Sequence, residues 1–180
     1  MSKMRTSRSN HARQSGVSIV EALVALVILS VGMLGIAGMY LQSLQSNRSA
    51  TSRTAAVQLV NDLADRIRAN RMGRTDYAVT KGTEPANKDG KDCATVNCTP
   101  PELAAYDLGQ WFTAVKATLP KTVDPATLEV KNPVVSVTFT PGTSAQDPDR
   151  YVVMAAWREP GDTTLLSAQV EVLQLRGPNT

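Results

Sequence analysis

The sequence predicts an α+β protein: one long N-terminal helix, a small antiparallel sheet packed against its second half, and one extra helix between them. Three observations carry this. Residues 17–41 form an almost unbroken apolar run, and Ala56, Val60, Leu63 and Ile67 then recur at helical spacing on one face. "TPPE" at residues 99–102 opens a second helix. Near the C-terminus three segments alternate apolar and polar residues in the two-residue period of half-buried strands. A chain of 180 residues with 42% hydrophobic content sustains one modest core plus an extra element, not two full domains.

The N-terminal segment comes first. Lys3, Arg5, Arg8 and Arg13 precede Gly16 with no acidic residue among them, so removing residues 1–16 takes the formal net charge from +3 to −1. The basic character of the chain therefore lies in its leader. Residues 22–40 carry no charge, and about 20 helical residues at ~1.5 Å each cross a hydrocarbon core of about 30 Å. The basic flank keeps the N-terminal side cytoplasmic, which places residues 42–180 in the periplasm or outside the cell. A secretory signal would have its small-residue cleavage site after the apolar run. Here the candidate break, Gly16, precedes it, and cutting there leaves the membrane helix on the mature chain.

Within that run "GVSIVEALVALVILSVG" closely resembles the processing and anchoring segment of type IV prepilins, a likeness that covers about the first quarter of the chain. The resemblance implies that prepilin peptidase cuts after Gly16 and that Val17 becomes an N-methylated first residue. Phenylalanine is usual there, and valine is a departure. Glu21 has its own physics: an ionised carboxylate in a bilayer helix costs several kcal/mol unless it is paired. Near a helix end it can reach water. In a filament, where helices leave lipid, the amino terminus at Val17 of a neighbouring subunit is the available cation, and the pair sets the axial register.

Gly32, Gly35 and Gly38 recur at intervals of three in the same helix, where small residues allow close helix approach. Many pilins have a proline near this point; this chain has none, so any bend would come from glycine. The helix is expected over residues 17–72, with Gly73 as its stop. Asp62 with Arg66 and Asp65 with Arg68 have helix-pair spacing. Arg48, Arg53, Arg66, Arg68, Arg71 and Arg74 outnumber these two aspartates, which raises DNA binding as a reading. No aromatic residue is interleaved and no recognition motif follows, so the arginines read as a solvated or subunit-facing surface.

Residues 75–98 read as a polar, turn-rich connection anchored only by Cys93 and Cys98. Outside the cytoplasm two cysteines pair, and a zinc site would need two further ligands, whereas the only histidine, His11, lies in the leader. Thr99, Pro100 and Glu102 then make a capping box, followed by an apolar stripe of Ala104, Leu108, Trp111 and Val115 that ends before Pro120. Trp111 reads as a core residue against the first helix. "CTPPELAAYDLGQWFTAV" also resembles the minor pilins called type IV pilus modification proteins. "VVSVTFT", "YVVMAAW" and "LLSAQVEVLQL" are the three strands, the last placing Leu166, Ala168, Val170 and Val172 on one face.

Nothing points to an enzyme, a cofactor or a metal: past the leader there is no histidine, no phosphate-binding glycine loop and no free thiol beyond the paired cysteines. Asp107, Glu129 and Asp149 read as surface carboxylates. The chain divides into a leader (1–16), a transmembrane and assembly helix (17–41), its amphipathic continuation (42–73) and a globular part (74–180). With the resemblance, this implies a minor type IV pilin of α+β pilin-like fold. Its partners would be prepilin peptidase, other major and minor pilins, the inner-membrane assembly platform and, before assembly, lipid. It would start in the inner membrane and end in a cell-surface pilus. A minor pseudopilin of a type II secretion system shares the N-terminal chemistry, and a DNA-binding pilin is the reading from another class.

Overall fold

A computed structural model describes residues 18–86, 90–123, 129–144, 147–159 and 164–175. It falls into two units, residues 1–45 and residues 46–180. One helix, α1 (Ile19–Ala69), contributes to both. In the first unit every described side chain is exposed.

The second unit contains the rest of α1, a short 3-10 turn (Arg74–Tyr77), α2 (Pro100–Thr118) and five strands. Strands β1 (Thr122–Val123) and β2 (Val130–Lys131) pair with each other as a two-residue ribbon. Strands β3 (Val134–Thr140), β4 (Asp149–Arg158) and β5 (Leu165–Gln174) form an antiparallel sheet in the order β3-β4-β5. The α+β architecture and the three main strands are those expected from the alternation. The β1–β2 ribbon is new, because two residues are too few to show a period.

The polar stretch after residue 46 is helical, and its hydroxyls bond back one turn: Thr51 Oγ1 donates to Asn47 O at 2.9 Å and Thr54 Oγ1 to Ala50 O at 3.0 Å. Beyond it Ala56, Val60, Leu63, Ala64 and Ile67 are all buried, as a 3.6-residue period requires of one face. Against this core pack Ala104, Leu108, Trp111, Phe112 and Val115 of α2. Trp111 is fully enclosed, and its Nε1–H donates to the Leu59 carbonyl of α1 at 2.8 Å. The sheet contributes Val135, Val137, Tyr151, Val153, Ala155, Ala168 and Val172, with Leu166 and Val170 half-buried beside them.

The connection between α1 and α2 differs from expectation. Helix α1 ends at Ala69, three residues short of Met72. Gly73 has φ of −73°, not the left-handed conformation of a helix-stop glycine. What it provides is room: a Cβ there would lie 2.7 Å from Asn70 Nδ2 and 2.8 Å from Tyr77 Cε2. The stretch 75–98 is also anchored before its cysteines. Tyr77 is fully buried, Val79 exchanges two backbone hydrogen bonds with Val137 at 2.9 and 3.0 Å, and Gly82 N donates to Val135 O at 3.3 Å. Residues 79–82 thereby cover the outer edge of β3.

Two of the three carboxylates expected at the surface are buried. Asp107 and Asp149 are 7% and 3% exposed, while Glu129 is exposed. Each follows from a periodicity it shares with its neighbours. Asp107 sits three residues after Ala104 and four before Trp111, on the stripe of α2; Asp149 lies two residues before Tyr151, on the inner face of β4. A buried carboxylate survives only with partners. Asp107 accepts from Arg66 Nη1 at 3.1 Å and from Tyr77 Oη at 2.6 Å. Asp149 accepts from Arg74 Nε at 2.8 Å, Arg74 Nη2 at 3.2 Å and Gly142 N at 2.9 Å. Arg66 and Arg74 thus belong to the structure of the domain rather than to a free basic surface. Arg68 pairs with Asp65 as the spacing predicted, at 2.6 Å.

Replacing Asp107 by Ala removes the acceptor of two donors, and should destabilise the fold by about 2–3 kcal/mol. Arg68→Ala, which loses only an exposed helix pair, should change stability by less than ~0.5 kcal/mol. Thermal melts of the two detergent-solubilised variants followed by circular dichroism give the comparison, and equal melting temperatures would contradict it.

Candidate functional site

Glu21 lies in the first turn of α1 and is exposed. Between Ser18 and Asn47 it is the one charged side chain, on a surface formed by Ile19, Leu23, Val27, Leu34 and other exposed apolar residues. This is the one helix among the described residues long and apolar enough to cross a membrane, and none of the apolar stretch that qualifies it is buried. Gly16 and Val17 lie outside the described residues. The helix passes unbroken through Gly32, Gly35 and Gly38, where a Cβ would meet nothing within 4 Å. The glycines therefore keep a backbone surface open without interrupting the helix.

The charge of Glu21 has no cation on its own helix within a turn: the next charged residue in sequence is Arg48. Its placement near the helix start is favourable, because the positive end of the helix dipole lies there, but the effect is worth only ~0.3–1 kcal/mol at an exposed site. That is less than the cost of an unpaired carboxylate away from water. An exposed carboxylate in the first helical turn is therefore tolerated where water reaches it, and is costly where water does not.

In the second unit, Cys93 and Cys98 are joined by a disulfide with a Cα–Cα distance of 5.6 Å. The six-residue stretch is fastened to the start of α2. Lys91 Nζ donates to Glu102 Oε1, the Thr99 N–H donates to Glu102 Oε2 at 2.8 Å, and the Thr99–Glu102 capping box is complete. The capping box was legible in the sequence; the Lys91 contact, from 11 residues away, was not. Among the described residues no cluster of three or more metal-ligating side chains occurs.

Two family models match adjoining stretches of the chain. Residues 11–37 match the prokaryotic N-terminal methylation motif, and residues 38–109 match the model described as type IV pilin Tt1218. Together they cover the apolar helix with Glu21, the amphipathic half of α1, the disulfide and the first half of α2. Both matches support a type IV pilin family. No curated protein and no solved structure matches it. That family is structural, and the methylation motif together with the one membrane-length apolar helix among the described residues points to membrane anchoring.

In this pilin the cap of α2 depends on an ionised Glu102. The Lys91 ammonium and the N–H and hydroxyl of Thr99 hold its carboxyl down from the ordinary 4.5 to about 2. A depressed folded value means the cap's contribution is fully present above pH 4.5 and is lost as pH falls through about 2. Carbon-detected titration of Glu102 should show a midpoint near 2, and Lys91→Ala should move it upward. A midpoint of 4.5 in the unsubstituted chain would contradict the contact.

Proposed function

We propose that this chain is a minor type IV pilin, of the pilus modification type, that is made as a prepilin and enters or primes a pilus. Prepilin peptidase cuts after Gly16, Val17 becomes the N-methylated first residue, and the folded domain faces the periplasm before assembly. The methylation motif implies this processing and assembly with other pilins. The observation that carries the reading is Glu21, a lone charge on an otherwise apolar and uncovered helix. Lipid covers that helix in the membrane, and the helices of other subunits cover it in the filament. Only the second setting supplies a cation, the amino terminus at Val17 of the adjacent subunit, and only a pair in that setting fixes one axial position over its neighbours.

Mass spectrometry of the protein from its native membrane should find a chain that begins at Val17 and carries one methyl group. A chain still beginning at Met1 in cells with active peptidase would refute the processing step. Glu21→Ala should insert in the membrane and be cut normally, since it makes the segment more apolar. Its abundance in sheared pili should fall by roughly a factor of ten or more, because the neighbour's amine is left unpaired among packed helices. Glu21→Gln, which keeps the size and removes the charge, should behave like alanine. Wild-type abundance of both variants in sheared pili would overturn the pairing role.

A further inference from the structure

The sheet of the folded unit is finished on one side and open on the other. Residues 79–82 cover the edge of β3 with three backbone hydrogen bonds. Strand β5 pairs with β4 over all ten of its residues, without a bulge, and among the described residues has no strand on its other side. Such an edge presents a row of unmet N–H and C=O groups, and proteins blunt it with lysine, proline, bulges or short length. "LLSAQVEVLQ" has none of these. Its one charge, Glu171, is engaged by Arg150 of β4 at 3.1 Å.

We infer that β5 is a self-pairing edge, and that two copies of this chain join β5 to β5 in antiparallel register centred on Gln169. The pattern of the strand argues for a second copy as the occupant. Odd-numbered residues of β5 lie on the exposed face and even-numbered ones on the inner face. About a two-fold axis at Gln169, Leu165 of one copy meets Leu173 of the other, Ser167 meets Glu171, and Gln169 meets itself; on the inner face Leu166 meets Val172 and Ala168 meets Val170. Leu165 and Leu173 are 46% and 57% exposed in the single chain, and each gains an apolar partner. The strand's one charge never faces its own kind. Amide faces amide at the axis.

Closure follows from the same asymmetry. Because residues 79–82 bond to Val135 and Val137 on the far edge, the described residues of the joined six-stranded sheet offer no second open edge of this kind, so pairing stops at two copies and does not extend into a fibre. A two-fold contact of this type is distinct from the axial pairing proposed for Glu21, and does not depend on it.

Directly opposed residues of antiparallel strands have Cβ atoms about 4.5–5.5 Å apart, within reach of a short thiol cross-linker. The chain's own cysteines are bonded to each other, so an added thiol reports on its own position. Full-length chain carrying Gln169→Cys, in membranes, should give a covalent dimer of twice the chain mass on treatment with a short thiol-to-thiol cross-linker. Thr138→Cys, on the exposed side of β3, should not. Adding Ser167→Glu sets two carboxylates against Glu171 at both symmetric positions and should cut the Gln169→Cys dimer roughly fivefold, whereas Ser167→Lys should preserve or raise it. The inference is overturned if Gln169→Cys gives no more dimer than Thr138→Cys, if its adduct contains a different protein, or if Ser167→Glu leaves the yield unchanged.

Discussion

The folded unit is organised by one face of α1. Ala56, Val60, Leu63, Ala64 and Ile67 are all buried, and both α2 and the sheet need that face to complete their own burial. Two of the five are alanines, which leave room for bulkier side chains from the covering elements. The enclosed indole of Trp111 reaches the α1 backbone at Leu59, a hydrogen bond that demands close approach. Substituting that stripe would leave α2 and β4 with apolar faces and nothing to put them on. The first half of the same helix obeys the opposite condition, apolar with every described side chain exposed, so one element carries both a face that its domain covers and a stretch that it does not.

Apolar packing alone would not fix the path of the chain between α1 and α2, and polar groups do so at two junctions. Asp107 gathers Arg66 from α1 and Tyr77 from the 3-10 turn onto α2, and burial together with the Asp107 carboxylate pushes the Tyr77 phenol upward, so it stays a donor at any ordinary pH. Asp149 gathers Arg74 and the backbone of Gly142 onto β4. Arg74 has φ of +25°, a region in which a residue with a side chain is strained by roughly 1–2 kcal/mol. Its two-pronged bond to a buried carboxylate is the compensating interaction, of the charge-assisted kind that exceeds an ordinary hydrogen bond. These contacts also account for part of the arginine-rich stretch: Arg66 and Arg74, themselves half-buried, are each bonded to a buried carboxylate, which leaves a smaller uncommitted basic surface than the sequence alone suggested.

What the sequence revealed and what it hid separate along physical lines. Helix and strand periodicities were legible because burial repeats over several turns or several residues, and the stripe of α2 and the alternation of β5 needed no further information. Asp107 and Asp149 were misjudged because a carboxylate defaults to the surface, although each stands at a position whose periodic neighbours, Ala104 and Trp111 or Tyr151 and Val153, are core residues. A charge on a buried period is itself the signal, and it implies a long-range partner that spacing cannot name. Tyr77 and Val79 were hidden for the reverse reason: two isolated anchors make no period. At the N-terminus Glu21 stood out as a charge in an apolar run, because the next charged residue along the chain is Arg48.

The two uncovered parts of the chain ask for different chemistry. The apolar half of α1 has its backbone bonds satisfied internally, so what it lacks is non-directional apolar cover, which lipid and neighbouring helices both supply. Those two kinds of cover are interchangeable for such a helix, and apolar contact alone selects neither a partner nor a register. An edge strand lacks directional hydrogen-bond partners, which neither lipid nor a helix face can provide and which only another extended backbone satisfies in register. On β5 the register is further restricted, since a slip of one residue would set exposed Leu173 opposite an inner-face position. The apolar helix therefore accepts any apolar cover, whereas the strand edge accepts only extended backbone in register, and the two draw on none of the same groups.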